Sequence, residues 1–93
     1  MDSNFSQNQN DKGSEQGQSE NRSTLILHND DHNSFEFVME TLEEVCSHTV
    51  TQAEQCATIA HYKGKCDILK GESKELRSIR KELQARGLTV TLE

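Results

Sequence analysis

The spacing of apolar residues changes period several times along this chain, and each change predicts an element. Leu25-Ile26-Leu27 is a short apolar run closed by polar turn formers, so Thr24–His28 reads as a strand. Phe35, Val38, Met39, Leu42, Val45 and Cys46 then recur at helical spacing and predict one buried stripe. Asn33 with Glu36 reads as the N-cap pair of that helix. Thr51-Gln52-Ala53-Glu54 predicts a capping box opening a second helix. Its inward face is Ala53, Cys56, Ala57 and Ala60, with Gly64 just past its end. These small side chains let the helix approach its neighbours closely or leave space beside them.

Beyond Gly64, residues 65–70 read as a second strand centred on Ile68-Leu69. Glu72–Arg86 predicts a third helix with Leu76, Ile79 and Leu83 inward and Gly87 as its terminator. In the last stretch Leu88, Val90 and Leu92 alternate with Thr89 and Thr91, the pattern of a half-buried strand. The order is β-α-α-β-α-β. The simplest α+β architecture is a three-stranded antiparallel sheet with three helices packed over one face.

Residues 1–22 are mostly Gln, Asn, Ser, Asp, Glu and Gly, with Phe5 the one large apolar group after Met1. Such a segment buries too little to offset the entropy of ordering, so a disordered tail is expected before a folded domain at residues 23–93. The whole chain has 93 residues and a formal net charge of −6, which bounds it to one small domain without a basic nucleic-acid footprint. No apolar run reaches the roughly 18–20 residues of a membrane span. The N-terminus lacks both the basic and the apolar region of a signal peptide, so a cytoplasmic monomer is expected.

Several chemical readings fail on spacing. Cys46, Cys56 and Cys66 cannot all pair with one another, and together with His48 and His61 they match no zinc pattern. They read as reduced thiols, with no metal and no cofactor expected. Asn29, Asp31, Asn33 and Glu40 imitate a calcium loop, but Ser34 stands where the sharp turn needs glycine, and the helix starting at Phe35 would have to unwind. His28, Asp30, Asp31 and His32 need not converge, because neighbouring strand residues point to opposite faces. No activated nucleophile or phosphate-cradling loop is present, so an enzyme is not expected.

What stands out is the polar turn Asn29-Asp30-Asp31 after the first strand, paired with His61 at the end of the second helix. Taken alone, the turn reads as a solvated cap and His61 as a histidine near the negative end of a helix dipole. Together they offer acceptors beside apolar helix faces, suited to a ligand with one cationic and one greasy end.

Leu25-Ile26-Leu27-His28-Asn29-Asp30-Asp31, Phe35-Glu36-Phe37-Val38, Ala60-His61-Tyr62-Lys63-Gly64-Lys65 and the closing Thr91-Leu92-Glu93 together resemble the ClpS family of adaptors for the Clp AAA+ protease. The resemblance runs from about Thr24 to Glu93. It implies a reader of N-terminal residues that binds chains beginning with Leu, Phe, Tyr or Trp and docks on the N-terminal domain of a Clp unfoldase. By position, Asn29, Asp30 and His61 would hold the substrate's α-amino group and first peptide unit. Asp31 and Asn33 would stand at the rim, while Phe35, Ala57, Ala60 and Leu88 would line or gate the side-chain pocket. The docking surface would fall in the segment holding Glu72, Lys74 and Glu75, which is shorter than the family's. The chain departs from the family where Phe35 replaces a usual Met, and where Ala57 and Ala60 replace bulkier residues. An interaction domain of the same fold, like that of the ribosomal stalk protein, is the competing reading.

Overall fold

Strand β1, Arg22–His28, is the central strand of a three-stranded antiparallel sheet, flanked by β2, Lys65–Glu72, and β3, Val90–Leu92. The computed structural model describes residues 21–93. Helices α1, Phe35–Cys46, and α2, Val50–Lys63, lie between β1 and β2, and α3, Ser73–Ala85, lies between β2 and β3. The element order and the antiparallel sheet are those expected. The tail expectation falls on residues outside the described ones, apart from Asn21 and Arg22. Arg22 already opens β1, paired with Glu72, because backbone pairing at a strand end asks nothing of side-chain polarity.

Leu25 and Leu27 leave one face of β1 and meet Leu42 and Cys46 of α1, Ala53, Cys56 and Ala60 of α2, and Leu76 and Leu83 of α3. All three helices therefore share one side of the sheet. The alanine face of α2 is buried as its spacing implies, and it lets that helix sit close to its neighbours.

Two caps differ from expectation by small shifts. Ser34, not Asn33, caps α1, its hydroxyl accepting from Phe37 N at 3.0 Å. Asn33 is drawn instead into bonds to Asp30 and Gly87. The capping box of α2 is Thr49 with Gln52, two residues before the expected one. The reason is the short turn before it. Ser47 ends α1 in the left-handed region, and His48 is held near the Ile68 carbonyl, so the chain restarts its helix at once.

Pairing of β1 with β2 slips between Leu25 and Ile26, which leaves Ile68 of β2 as the extra residue of a bulge. Since β2 is an edge strand, side chains rather than another strand cover part of its backbone. His48 Nε2 lies 3.3 Å from the Ile68 carbonyl, and the Cys66 thiol donates to the Asp67 carbonyl at 3.4 Å. At the far end of α3, Arg86 bridges Glu82 of its own helix and Glu44 of α1.

Candidate functional site

The site is assembled where β1 ends, α1 begins and α2 ends. Gly64 closes α2 with φ at 94°, a left-handed conformation that glycine adopts without steric cost, and β2 starts at the next residue. The Gly64 carbonyl accepts from Asn29 N at 2.9 Å, which brings the end of α2 against the residue following β1. On the other side, His28 N donates to the Thr89 carbonyl at 2.8 Å.

Asp30 organises the loop between β1 and α1. Its Oδ1 accepts from His32 N at 2.9 Å and Asn33 N at 3.1 Å, and its Oδ2 accepts from Asn33 Nδ2 and the Thr89 hydroxyl, each at 3.1 Å. Asn33 Nδ2 also donates to the Gly87 carbonyl at 2.9 Å, so the loop is tied to the connection between α3 and β3. Partial burial acts to raise the Asp30 pKa, but these donors favour the anion and hold it below the ordinary value of 3.8.

That shift has a sign. A carboxylate held below its ordinary pKa adds stability that is fully present above pH 3.8 and is lost as pH falls through the folded-state value. Asp30→Asn should therefore flatten the acid limb of the stability profile. Melting temperatures measured from neutral pH downward check this, and unchanged acid limbs in the two proteins would count against it.

A cleft of about 530 Å³ opens beside this loop. Its walls include Asn29, Asp30, Asn33 and Phe35 from the loop and the start of α1, and Ala57, Ala60 and His61 from α2. Leu27 and Val38 add apolar surface, and Thr58 and Tyr62 complete the α2 side. The Asn29 amide and the His61 imidazole are exposed and make no hydrogen bond to another described residue. The His61 ring meets the edge of Tyr62 at 5.0 Å between centroids, with the planes at 82°. Asp30 is different, since both its oxygens are already engaged.

Of the residues singled out from sequence, Asp31 and Leu88 are absent from the cleft walls. Asp31 is exposed outside it, and Leu88 is only 4% exposed, inside the core with Val90. Leu88, just ahead of β3, and Val90, its first residue, both pack into the core beneath the helices. Sequence reasoning gave no role in the site to Val38, Thr58, Tyr62 or Thr89, nor to His28, which also lines the cleft. Val38 could have been found, being one turn after Phe35 on the same helix face. Thr89 could not, since only the fold brings it to Asp30.

Glu72 ends β2 and precedes α3 as its N-cap without a side-chain cap bond, and Lys74 and Glu75 are exposed in the first turn. They stand at the opposite end of the sheet from the cleft, because Glu72 pairs with Arg22 while Lys65 pairs with His28. Seven strand residues separate the two ends by about 20 Å. Among the described residues, no cluster of three or more His, Cys, Asp or Glu side chains could hold a metal ion, and no helix is long and apolar enough to cross a membrane.

Fold and cleft define a small α+β domain with a polar-mouthed, apolar-walled site at one end of its sheet. The sequence profile described as "ATP-dependent Clp protease adaptor protein ClpS" matches residues 18–91. The chain is 32% identical over 89 residues to the ClpS adapter protein of Pectobacterium carotovorum subsp. carotovorum (strain PC1), covering 90% of this chain and 84% of the relative. It is 33% identical over 76 residues to that of Erwinia tasmaniensis, covering 80% and 72%. Among solved structures it is similar to Agrobacterium tumefaciens ClpS2 bound to L-phenylalaninamide, with a TM-score of 0.75, 24% identity, and coverage of 78% of this chain and 95% of the other. The chain belongs to the ClpS family, the adaptors of the ATP-dependent Clp protease.

Proposed function

We propose that this adaptor binds the free N-terminal residue of substrate proteins, favouring Leu, Phe, Tyr and Trp, and delivers them to a ClpA- or ClpC-type AAA+ unfoldase. The observation that carries the reading is the cleft itself. Two polar side chains without described partners, Asn29 and His61, face an apolar floor made by Leu27, Val38, Ala57 and Ala60. Its volume falls within the roughly 300–1,000 Å³ of small-ligand pockets.

A free α-ammonium carries three donors, and with a pKa of about 7.7–8.0 much of it is charged at neutral pH. The Asn29 carbonyl oxygen and a neutral His61 nitrogen are the acceptors open to it. Asp30, with its oxygens engaged by His32, Asn33 and Thr89, acts by supplying negative charge and by fixing the loop that follows Asn29. An acetylated terminus keeps one amide N–H and no charge, leaving acceptors unmatched at a cost of about 1–3 kcal/mol each. The site is thus a reader of chain ends. The A. tumefaciens relative was solved with L-phenylalaninamide, which joins a free amine to a benzyl side chain, and that pairing supports the reading. The exposed residues Glu72, Lys74 and Glu75, about 20 Å away, leave unfoldase docking and substrate binding compatible in one complex.

Fluorescence anisotropy with peptides beginning Phe, Leu, Ala and acetyl-Phe tests this. Burial of the first side chain is worth about 1.5–3 kcal/mol, so Phe and Leu should bind roughly 10- to 150-fold more tightly than Ala. Acetyl-Phe binding as well as Phe would overturn the reading.

Specificity within the apolar class follows from Phe35, Ala57 and Ala60. Phe35 is 39% exposed at the cleft edge, and two alanine methyl groups form much of the α2 wall. Such a wall leaves room for a side chain branched at Cβ. Ile- and Val-initiated peptides should bind within about tenfold of Leu, a gap of about 1.4 kcal/mol. A much larger gap in the same titration would show that the walls close around the ligand.

A further inference from the structure

Where the buried face of α2 meets the start of β2, two thiols lie near one another. Cys56 leaves the buried face of α2, and Cys66 is the second residue of β2. Both sulfurs converge on one atom, the Asp67 carbonyl oxygen, at 4.0 Å from Cys56 and 3.4 Å from Cys66. Both cysteines are free. They also line a shallow groove of about 240 Å³ with Gln52, Gln55, Ile59 and Ile68, which gives small solutes a route to them. The function proposed above makes no use of this pair.

We propose that Cys56 and Cys66 form a reversible intramolecular disulfide when the protein meets hydrogen peroxide, clamping α2 to β2 across the one-residue turn at Gly64. The inference does not depend on the peptide-binding reading.

The two thiols divide the chemistry. Cys56 is 4% exposed, and burial, with the Cys66 side chain beside it, pushes its pKa up. It is therefore poorly suited to attack first. Cys66 is half-buried and reaches the groove, so its thiolate attacks the peroxide. The O–O bond breaks, Cys66 becomes a sulfenic acid, and the departing oxygen leaves as water after protonation. Cys56 Sγ then attacks the Cys66 sulfur. The S–S bond forms, the S–O bond breaks, and a second water carries away the thiol proton. Two thiols lose two electrons in total, and one peroxide becomes two waters. Exchange with a small dithiol reverses the link. Cys46 also lies near enough to Cys56 to affect its charge, but it is buried at the α1 side and lines neither cleft.

The clamp would bear on the cleft wall. Cys56 immediately precedes Ala57, and the segment from Ala57 to Lys63 carries Ala60, His61 and Tyr62. Joining its base to β2 should restrict local opening of that last stretch of helix.

The test treats the folded full-length protein with hydrogen peroxide, blocks remaining thiols by alkylation, and digests without reduction. Trypsin joins residues 23–63 to residues 66–70 through any link to Cys66, and further cleavage after Glu54 parts Cys56 from Cys46, so a Cys56–Cys66 link appears as a distinct cross-linked peptide that a dithiol abolishes. Cys46→Ala should keep it and Cys66→Ser should lose it. In hydrogen exchange, amides of residues 57–63 should exchange several-fold more slowly in the oxidised form. Three results overturn the proposal: a Cys46–Cys56 link, a Cys66–Cys66 link between chains, or oxidation of Cys66 with Cys56 left free. Unchanged exchange in a correctly linked protein overturns the clamp.

Discussion

Replacing Asn29 and His61 together by alanine should abolish measurable binding of Phe- and Leu-initiated peptides while leaving the fold intact. A hydrogen bond to a charged group contributes about 1.5–3 kcal/mol, so loss of both should weaken binding by roughly 10²- to 10⁴-fold. Stability should hardly change, because both side chains are exposed and neither bonds another described residue. The measurement is anisotropy alongside circular dichroism melting of the same samples. A double variant that melts as before and binds as before would remove these two residues from the site. Asp30→Ala is expected to differ from them. It opens the loop bonds to His32, Asn33 and Thr89, so it should lower stability by about 1–2 kcal/mol as well as weaken binding.

Leu83→Ala should have the largest effect on the fold. Leu83 is fully buried where α3 meets the sheet, together with Leu25, Leu42 and Val90 in one core. Truncating a buried leucine costs about 2–5 kcal/mol through lost transfer energy and the cavity left behind. A domain of this size shifts its melting temperature by about 4–8 °C per kcal/mol, so a fall of at least about 8 °C is expected. The core is small, with two alanines and a cysteine from α2 filling places that larger side chains hold in bigger proteins, so relaxation elsewhere cannot absorb the loss. Thermal melting checks it, and a fall of only a degree or two would mean the core repacks around the gap.

The sequence made the helices legible because their signal is local. The α2 face of Ala53, Cys56, Ala57 and Ala60 and the stop at Gly64 lie within one window of the chain. Cap positions were less legible, since Asn33 and Ser34 are both good cap residues and the choice depends on Gly87, far along the chain, which claims Asn33. Strand β2 runs to Glu72, beyond the residues whose apolarity marks it, because pairing with Ser23 and Arg22 extends it by backbone bonds alone. At the site, the pairing of Asn29 with His61 was visible as a group of acceptors beside apolar helix faces, but the resemblance gave each its role, since either alone reads as a solvated turn or a helix-end histidine. The role of Asp30 as the hub of its loop rests partly on Thr89, a contact between distant residues that no local pattern encodes.

The two alanines in the cleft wall set a one-way limit on how this site can change. A methyl group is the smallest side chain a helix keeps without penalty, since glycine in a helix interior costs about 1 kcal/mol. Substitution at Ala57 or Ala60 can therefore fill the cleft by degrees but can hardly deepen it. On this backbone the site already stands at its roomy extreme. A series of enlarging replacements would map, rung by rung, how its choice of ligand narrows.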